Sequence, residues 1–313
     1  MNDFAPRLLG ELPGDVCWSP YSVESALRIV LRLAEGSTRA RLLELLGSEE
    51  LPGSHPPGFA VSDSLWARDF LNLPAPVRLF DDPAAALKLI NAEVAEATRG
   101  LIPELLKSLA PSTTAVVVNA LYLKAQWWGQ FWLVGDEPFH SPSGDRLVPM
   151  MQRQSSFPYA RLHGWEVVKI PAHDDVEAVV LLPSDGMDLD SRALSELLDA
   201  HAHTEVLLTM PTLKLSYGDD LRPALERLGL AAVFAQGGMP HPDMVIDQVI
   251  HQAVLRVDEH GIEGTAATAI MAVGSPVPVP VEPVEVTVDR PFLFLVRHSV
   301  TGAIYFLARV ENL

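Results

Sequence analysis

Few side chains in this sequence could support covalent or metal chemistry. Cys17 is the single cysteine, which excludes an internal disulfide framework and any thiolate-rich zinc or cluster site. His201-Ala202-His203 places two imidazoles close together. No third ligand stands at a recognisable spacing, so they read as solvated histidines at a helix end. Gly-x-Ser-x-Gly, His-Glu-x-x-His, the Walker loop and Gly-x-Gly-x-x-Gly are absent. No enzymatic signature remains, and neither a metal nor a cofactor is expected.

The unusual stretch is residues 259–290. From Ile262 it runs Ile-Glu-Gly-Thr-Ala-Ala-Thr-Ala-Ile-Met-Ala-Val to Val273, small at most positions and without lysine or arginine. Small side chains could slide between two existing strands at low steric cost. Alternation would send Ile262, Gly264, Ala266, Thr268 and Ile270 to one face, and Glu263, Thr265 and Ala267 to a solvated one. The same composition also describes a flexible surface linker. From Ser275 the chain reads Ser-Pro-Val-Pro-Val-Pro-Val, a stiff polyproline II segment.

The elements that would hold this stretch follow from periodicity. Ser19-Pro20-Tyr21-Ser22 precedes Val23, Ala26, Leu27, Val30 and Leu31, a period near 3.6 that predicts a buried helix with a hydroxyl cap and proline at its start. Further helices are predicted over 39–46, 83–98 and 194–200. Residues 114–123 are nearly continuous apolar and β-rich, the pattern of a strand covered on both faces. Other strands are predicted over 60–67, 167–171, 178–183, 206–215, 253–257, 284–288, 292–298 and 304–309. Helices dominate the first half and strands the second, which predicts an α+β protein with large sheets.

Composition bounds the function. At 313 residues with 48% hydrophobic and 20% charged side chains, the chain is globular in type. Lys and Arg total 23 against 40 Asp and Glu, a formal charge of −17, so phosphate backbones would be repelled and no nucleic-acid partner is expected. The longest apolar runs, such as 115–123 and 292–296, fall far short of the about 20 residues a membrane helix needs, so no membrane partner is expected either. The amino terminus Met1-Asn2-Asp3-Phe4-Ala5-Pro6-Arg7 shows no secretory leader pattern. With the lone cysteine this points to the cytoplasm, although a secreted chain trimmed of its leader would look the same.

Five segments, in order along nearly the whole chain, resemble the serpin family. They are Trp18-Ser19-Pro20-Tyr21-Ser22-Val23, Val118-Asn119-Ala120-Leu121-Tyr122-Leu123-Lys124-Ala125-Gln126-Trp127, Val148-Pro149-Met150-Met151, the run from His251 through Asp258-Glu259-His260-Gly261, and Asp289-Arg290-Pro291-Phe292-Leu293-Phe294. The resemblance implies a single serpin domain over 1–313, with three β-sheets, surrounding helices and an exposed reactive-centre loop at about 259–290. It implies a monomeric inhibitor rather than an enzyme, in which a serine protease cleaves the loop and is trapped as a covalent acyl complex. The loop's first half then inserts into the central sheet, so the native state must store free energy kinetically.

Residue by residue, the resemblance makes Glu259, Gly261, Ile262, Glu263, Gly264, Thr265, Ala266, Ala267 and Thr268 the hinge. Ser19, Ser22, Asn119 and His251 match the shutter, where the sheet opens; a satisfied polar core cluster is the plainer reading of the same residues. Trp127, Glu259 and Thr212 match the breach, the upper opening. Thr212 stands where many serpins carry a basic partner for the glutamate, so that pair is expected to be absent.

Several departures bear on activity. The region after Gly47 is short for the family, which should leave the central sheet partly uncovered near 51–76. Ile262 occupies a hinge position usually held by threonine or serine, and its β-branched bulk is expected to slow insertion. Counting from Glu259, family spacing puts the cleaved bond at Ser275-Pro276, yet prolyl bonds are poor substrates. Cleavage is better placed among Met271, Ala272, Val273 and Gly274, which suit elastase-like or subtilisin-like enzymes. No basic residue lies between Arg256 and Arg290, which disfavours trypsin-like targets. The alternative is a non-inhibitory serpin acting as a binding or scaffold protein.

Overall fold

A computed structural model describes residues 3–51, 53, 55–74, 76–187, 189–199, 202–239, 241–263 and 282–313. The hinge residues Gly264, Thr265, Ala266, Ala267 and Thr268 and the cleavage candidates Met271, Ala272, Val273, Gly274, Ser275 and Pro276 lie outside them, as does His201.

The first third is helical: α1 (Phe4–Glu11), α2 (Pro20–Leu33), α3 (Gly36–Leu46) and, after two strands, α4 (Pro83–Ala97). Ser19 caps α2, its side chain accepting from Ser22 N, and Pro20 fills the first turn, where a missing N–H costs nothing. The short α1, which periodicity did not predict, is held by Phe4 packed edge-on to Trp18.

The strands in chain order are β1 (Val16–Trp18), β2 (Phe59–Arg68), β3 (Arg78–Phe80), β4 (Ala115–Leu123), β5 (Ala125–Gln126), β6 (Trp132–Ser141), β7 (Gly144–Leu162), β8 (Trp165–Pro171) and β9 (Val176–Pro183). After α5 (Ser191–Leu198) come β10 (His203–Pro211), β11 (Leu213–Asp220), β12 (Ile246–Asp258), β13 (Gly261–Ile262), β14 (Val284–Thr287), β15 (Phe292–His298) and β16 (Ile304–Val310). The predicted strand over 206–215 is two strands. The chain breaks at Thr212, and β10 and β11 join different sheets.

Three sheets result because β7 serves two of them. Its first part pairs with β6 and β10, and its end, from Tyr159, pairs with β8. The β6-β7-β10-β14 sheet therefore runs into the β1-β16-β15-β9-β8 sheet through one continuous strand. The central sheet is separate, in the order β3-β2-β4-β12-β13-β5 with β11 on β12.

Every residue of β4 is buried, as its unbroken apolar run predicts. Val116, Val118 and Ala120 pack under α4 with Ile90 and Val94. Ala115 and Val117 pack on the opposite face with Val23, Leu27 and Val30 of α2. At the edge beyond β2, Leu79 and Phe70 are exposed. Among the described residues no helix is long and apolar enough to cross a membrane.

Candidate functional site

β12 runs parallel to β4 and bonds to it directly, Ile246 level with Ala115 through Ala253 level with Leu121. No slot separates the two strands over that length. Inside this apolar seam sits a polar cluster. His251 is level with Asn119, and Asn119 with Asp63 of β2, so one rung carries all three side chains on the face turned toward α2.

Ser19 donates its backbone N–H to His251 Nε2 at 3.0 Å, while its Oγ accepts from Ser22 N at 3.1 Å. Because Nε2 accepts, the proton resides on Nδ1, which donates to Asn119 Oδ1. Ser22 Oγ lies 3.4 Å from the same Asn119 oxygen and 3.0 Å from Asp63 Oδ1. Ser19, Ser22, Asn119 and His251 are each 0% exposed. Burial pushes the His251 imidazole down to about 3, so it is neutral at physiological pH. The cluster is not fully satisfied, since Asn119 Nδ2 is buried without a partner. An orphaned donor of this kind costs about 1–3 kcal/mol, a cost that a rearranged sheet is free to relieve.

At the upper end of the seam the chain reverses after β12. The Asp258 carboxylate accepts from His260 N at 2.9 Å and Gly261 N at 3.1 Å. That turn carries Gly261 and Ile262 back between β12 and β5, opposite Gln126 and Ala125. A Cβ on Gly261 would lie 2.1 Å from Ala125 O, so this close approach requires glycine. Ile262 is 1% exposed and joins the apolar cluster of Trp127, Leu255 and Val257. Glu263 then turns the chain away with φ at 52°. Its N–H is held by Arg256 O at 3.0 Å, and its carboxylate lies 3.6 Å from Arg256 Nε.

Trp127 ties the opposite bank to this turn, donating Nε1 to Asp258 O at 2.9 Å and its backbone N–H to His260 O at 3.1 Å. Phe131 N donates to Glu259 O at 3.0 Å. The Glu259 carboxylate lies 3.4 Å from His260 Nε2. Thr212 is held through its N–H to Pro149 O at 3.0 Å, and its side chain carries no charge to pair with Glu259. The arrangement is a sheet closed below, where β4 pairs with β12, and occupied above by Gly261 and Ile262 between β12 and β5.

The sequence model of the serpin family (serine protease inhibitor) matches residues 66–313. The chain belongs to the serpin family. It is 26% identical to an uncharacterized serpin-like protein of Thermococcus kodakarensis, covering 100% of this chain and 84% of that one. It is 30% identical to the leukocyte elastase inhibitor of Bos taurus, covering 96% of this chain and 93% of the relative. Among solved structures it resembles the thermophilic serpin tengpin in the native state, with TM-score 0.84, 20% identity, and 99% and 92% of the two chains covered.

In this serpin the four residues matched to the shutter meet as a single cluster, and Trp127 bonds to the residues on either side of Glu259, at the turn above it. Ile262, expected to be slow to enter the sheet, is already seated there. Sequence reasoning missed Asp63, whose side chain joins the cluster through Ser22. The available signal was alternation. Asp63 shares its face of β2 with the buried Leu65, which packs on α2. His203 lies exposed at the start of β10. The Cys17 thiol is buried and pushed up to about 12, far from the reactive thiolate range.

Proposed function

We propose that this serpin is a suicide-substrate inhibitor of an elastase-like or subtilisin-like serine protease. The protease's serine attacks a loop carbonyl, the downstream segment leaves with its new amino terminus, and an acyl ester joins enzyme to inhibitor. Insertion of the chain from Ile262 up to the cleaved bond between β4 and β12 then carries the enzyme away before water can hydrolyse the ester. The observation that carries this reading is the seating of Gly261 and Ile262 between β12 and β5, above a β4–β12 seam that is still paired. The first step of strand insertion has a place prepared for it, and the remaining steps have somewhere to go.

The bond is assigned between Ile270 and Ser275, upstream of the proline run and in small or medium apolar residues. Kinship to leukocyte elastase inhibitors is consistent with a protease of small apolar specificity. Incubation with subtilisin, elastase and chymotrypsin, followed by denaturing electrophoresis, tests the reading. A stable band of combined mass is expected, with a released carboxy-terminal fragment whose mass places the cut between Ile270 and Ser275. Loop cleavage without such a band contradicts it.

A second reading, a non-inhibitory serpin acting as a binding or scaffold protein, draws on Ile262. Its full burial could equally serve to fix the loop base permanently, and in that case the loop is cut without the band forming.

A further inference from the structure

We propose that Asp63 is an unassigned positioning residue of the gate, which sets how firmly α2 is tied to β4 by competing with Asn119 for the hydroxyl proton of Ser22. The proposal rests on the insertion reading, because it concerns how readily the β4–β12 seam opens. The geometry that carries it is a count of donors. Ser22 Oγ has one proton and two acceptors within reach, Asp63 Oδ1 at 3.0 Å and Asn119 Oδ1 at 3.4 Å. An ionised Asp63 takes that proton, and Ser22 then gives Asn119 nothing. A protonated Asp63 can donate to Ser22 Oγ instead, which frees Ser22 to donate to Asn119. A continuous chain then runs from Asp63 through Ser22, Asn119 and His251 to the backbone of Ser19, spanning β2, α2, β4 and β12.

The surroundings leave the carboxyl poised between these states. On its own side α2 contributes the hydroxyls of Ser22 and Ser25, with Tyr21, Glu24 and Arg28 the charged or titratable groups of that helix nearby. Arg28 is engaged by Glu24 at 3.0 Å, and Tyr21 is itself pushed up to about 12 by burial. β4 offers the uncharged Asn119 and β12 the neutral His251, beyond which Asp219 of β11 lies level with that histidine. Asp63, itself half-buried, lines the cleft beside β2 together with Arg78 of β3 and Glu93 and Glu96 of α4, where Arg78 is paired with Glu93 at 3.0 Å. No cation in direct contact compensates the carboxylate among these described groups, and burial pushes Asp63 up to about 7 against the hydroxyl bonds that oppose it.

A carboxyl raised in the closed sheet favours that sheet while protonated. The advantage shrinks as pH rises from the ordinary carboxylate range and is gone above about 7. His251 acts in the opposite direction, because its imidazole is lowered in the closed sheet. The comparison must therefore cancel every group except Asp63, and the isosteric Asp63→Asn change does so.

A synthetic peptide with the sequence of residues 262–273 is offered to the intact protein, and its rate of annealing into the central sheet is read from the rise in melting temperature. The ratio of rates, wild type over D63N, is expected to climb at least about tenfold between pH 5 and 7 and to level off above 7. A ratio constant within about twofold overturns the role of Asp63 while leaving insertion intact. Absence of annealing at every pH in both proteins overturns the insertion reading and this inference with it. Should D63N fail to fold, carboxyl-carbon NMR of aspartate-labelled wild type supplies the second measurement. Asp63 is expected to titrate near 7 in the free protein and at lower pH with peptide bound, and a titration unmoved by peptide overturns the proposal.

Discussion

Asn119 and His251 face each other across the junction of β4 and β12, and the imidazole Nδ1 donates to the asparagine oxygen while Nε2 accepts from Ser19 N. Two strands that would have to part in the proposed insertion are thus joined by a side-chain bond as well as by their backbones. The bond is buried and made by a neutral histidine. It is strong while made, and costly to leave half-made.

Replacing His251 with Gln should therefore destabilise the protein by about 1–3 kcal/mol at pH 7, measured by denaturant unfolding. A base lowered on folding contributes stability that is complete above its ordinary value and declines as pH falls. The advantage of wild type over H251Q should shrink steadily between about 6.5 and 4. An advantage that does not change over that range would mean His251 is not the buried neutral base described.

At the upper end of the seam, Gly261→Ala should push the hinge out of the sheet. The new Cβ would meet Ala125 O at 2.1 Å and Gln126 Cα at 2.9 Å, both backbone atoms. The expected cost is about 1–3 kcal/mol, together with loss of hydrogen-exchange protection at Ile262 and weakened protection at Trp127. Unchanged protection at Ile262 would refute the seating of β13.

The Arg256–Glu263 contact should matter little for stability. At 3.6 Å, with the arginine side chain 54% exposed, it belongs with ion pairs that contribute about 0–1 kcal/mol. Arg256→Ala should leave the melting temperature nearly unchanged at both low and high salt.

A much larger effect is expected from Arg297→Ala. Arg297 pairs with Glu177 at 2.6 Å and donates to Leu198 O at 2.9 Å, and the buried Lys169 also donates to Leu198 O at 2.5 Å. The two cations close the carboxyl end of α5. Burial and the neighbouring Arg297 hold the Lys169 ammonium below its usual range. Removing Arg297 leaves Glu177 without this partner, at a cost of about 3–5 kcal/mol in equilibrium unfolding.

Much of this architecture was legible in the sequence, for physical reasons that differ by element. β4 announced itself because a strand covered on both faces must be apolar at every position. The start of α2 did so because Ser19 and Pro20 answer the same unpaired N–H groups. The break at Thr212 was hidden, since β-rich residues continue on both sides of it and the change of sheet is decided by which strands wait there. β6 was obscured by its exposed face, with Gly135 in a positive-φ irregularity and Pro138 inside it. Asp63 was overlooked because a carboxylate in a half-polar strand looks solvated until the helix above it is in place. The early seating of Ile262 depended on the Asp258 turn, whose hydrogen bonds run from a side chain to backbone groups two and three residues on.

In the proposed mechanism the β4–β12 seam is a closed gate which the loop opens by entering. Nicking the loop between Ile270 and Ser275 and then measuring the melting temperature tests it most directly. Free to insert, the cut loop should become a strand between β4 and β12 and raise the melting temperature well above that of the intact protein. An unchanged or lowered melting temperature after complete nicking would show that the loop does not enter the sheet.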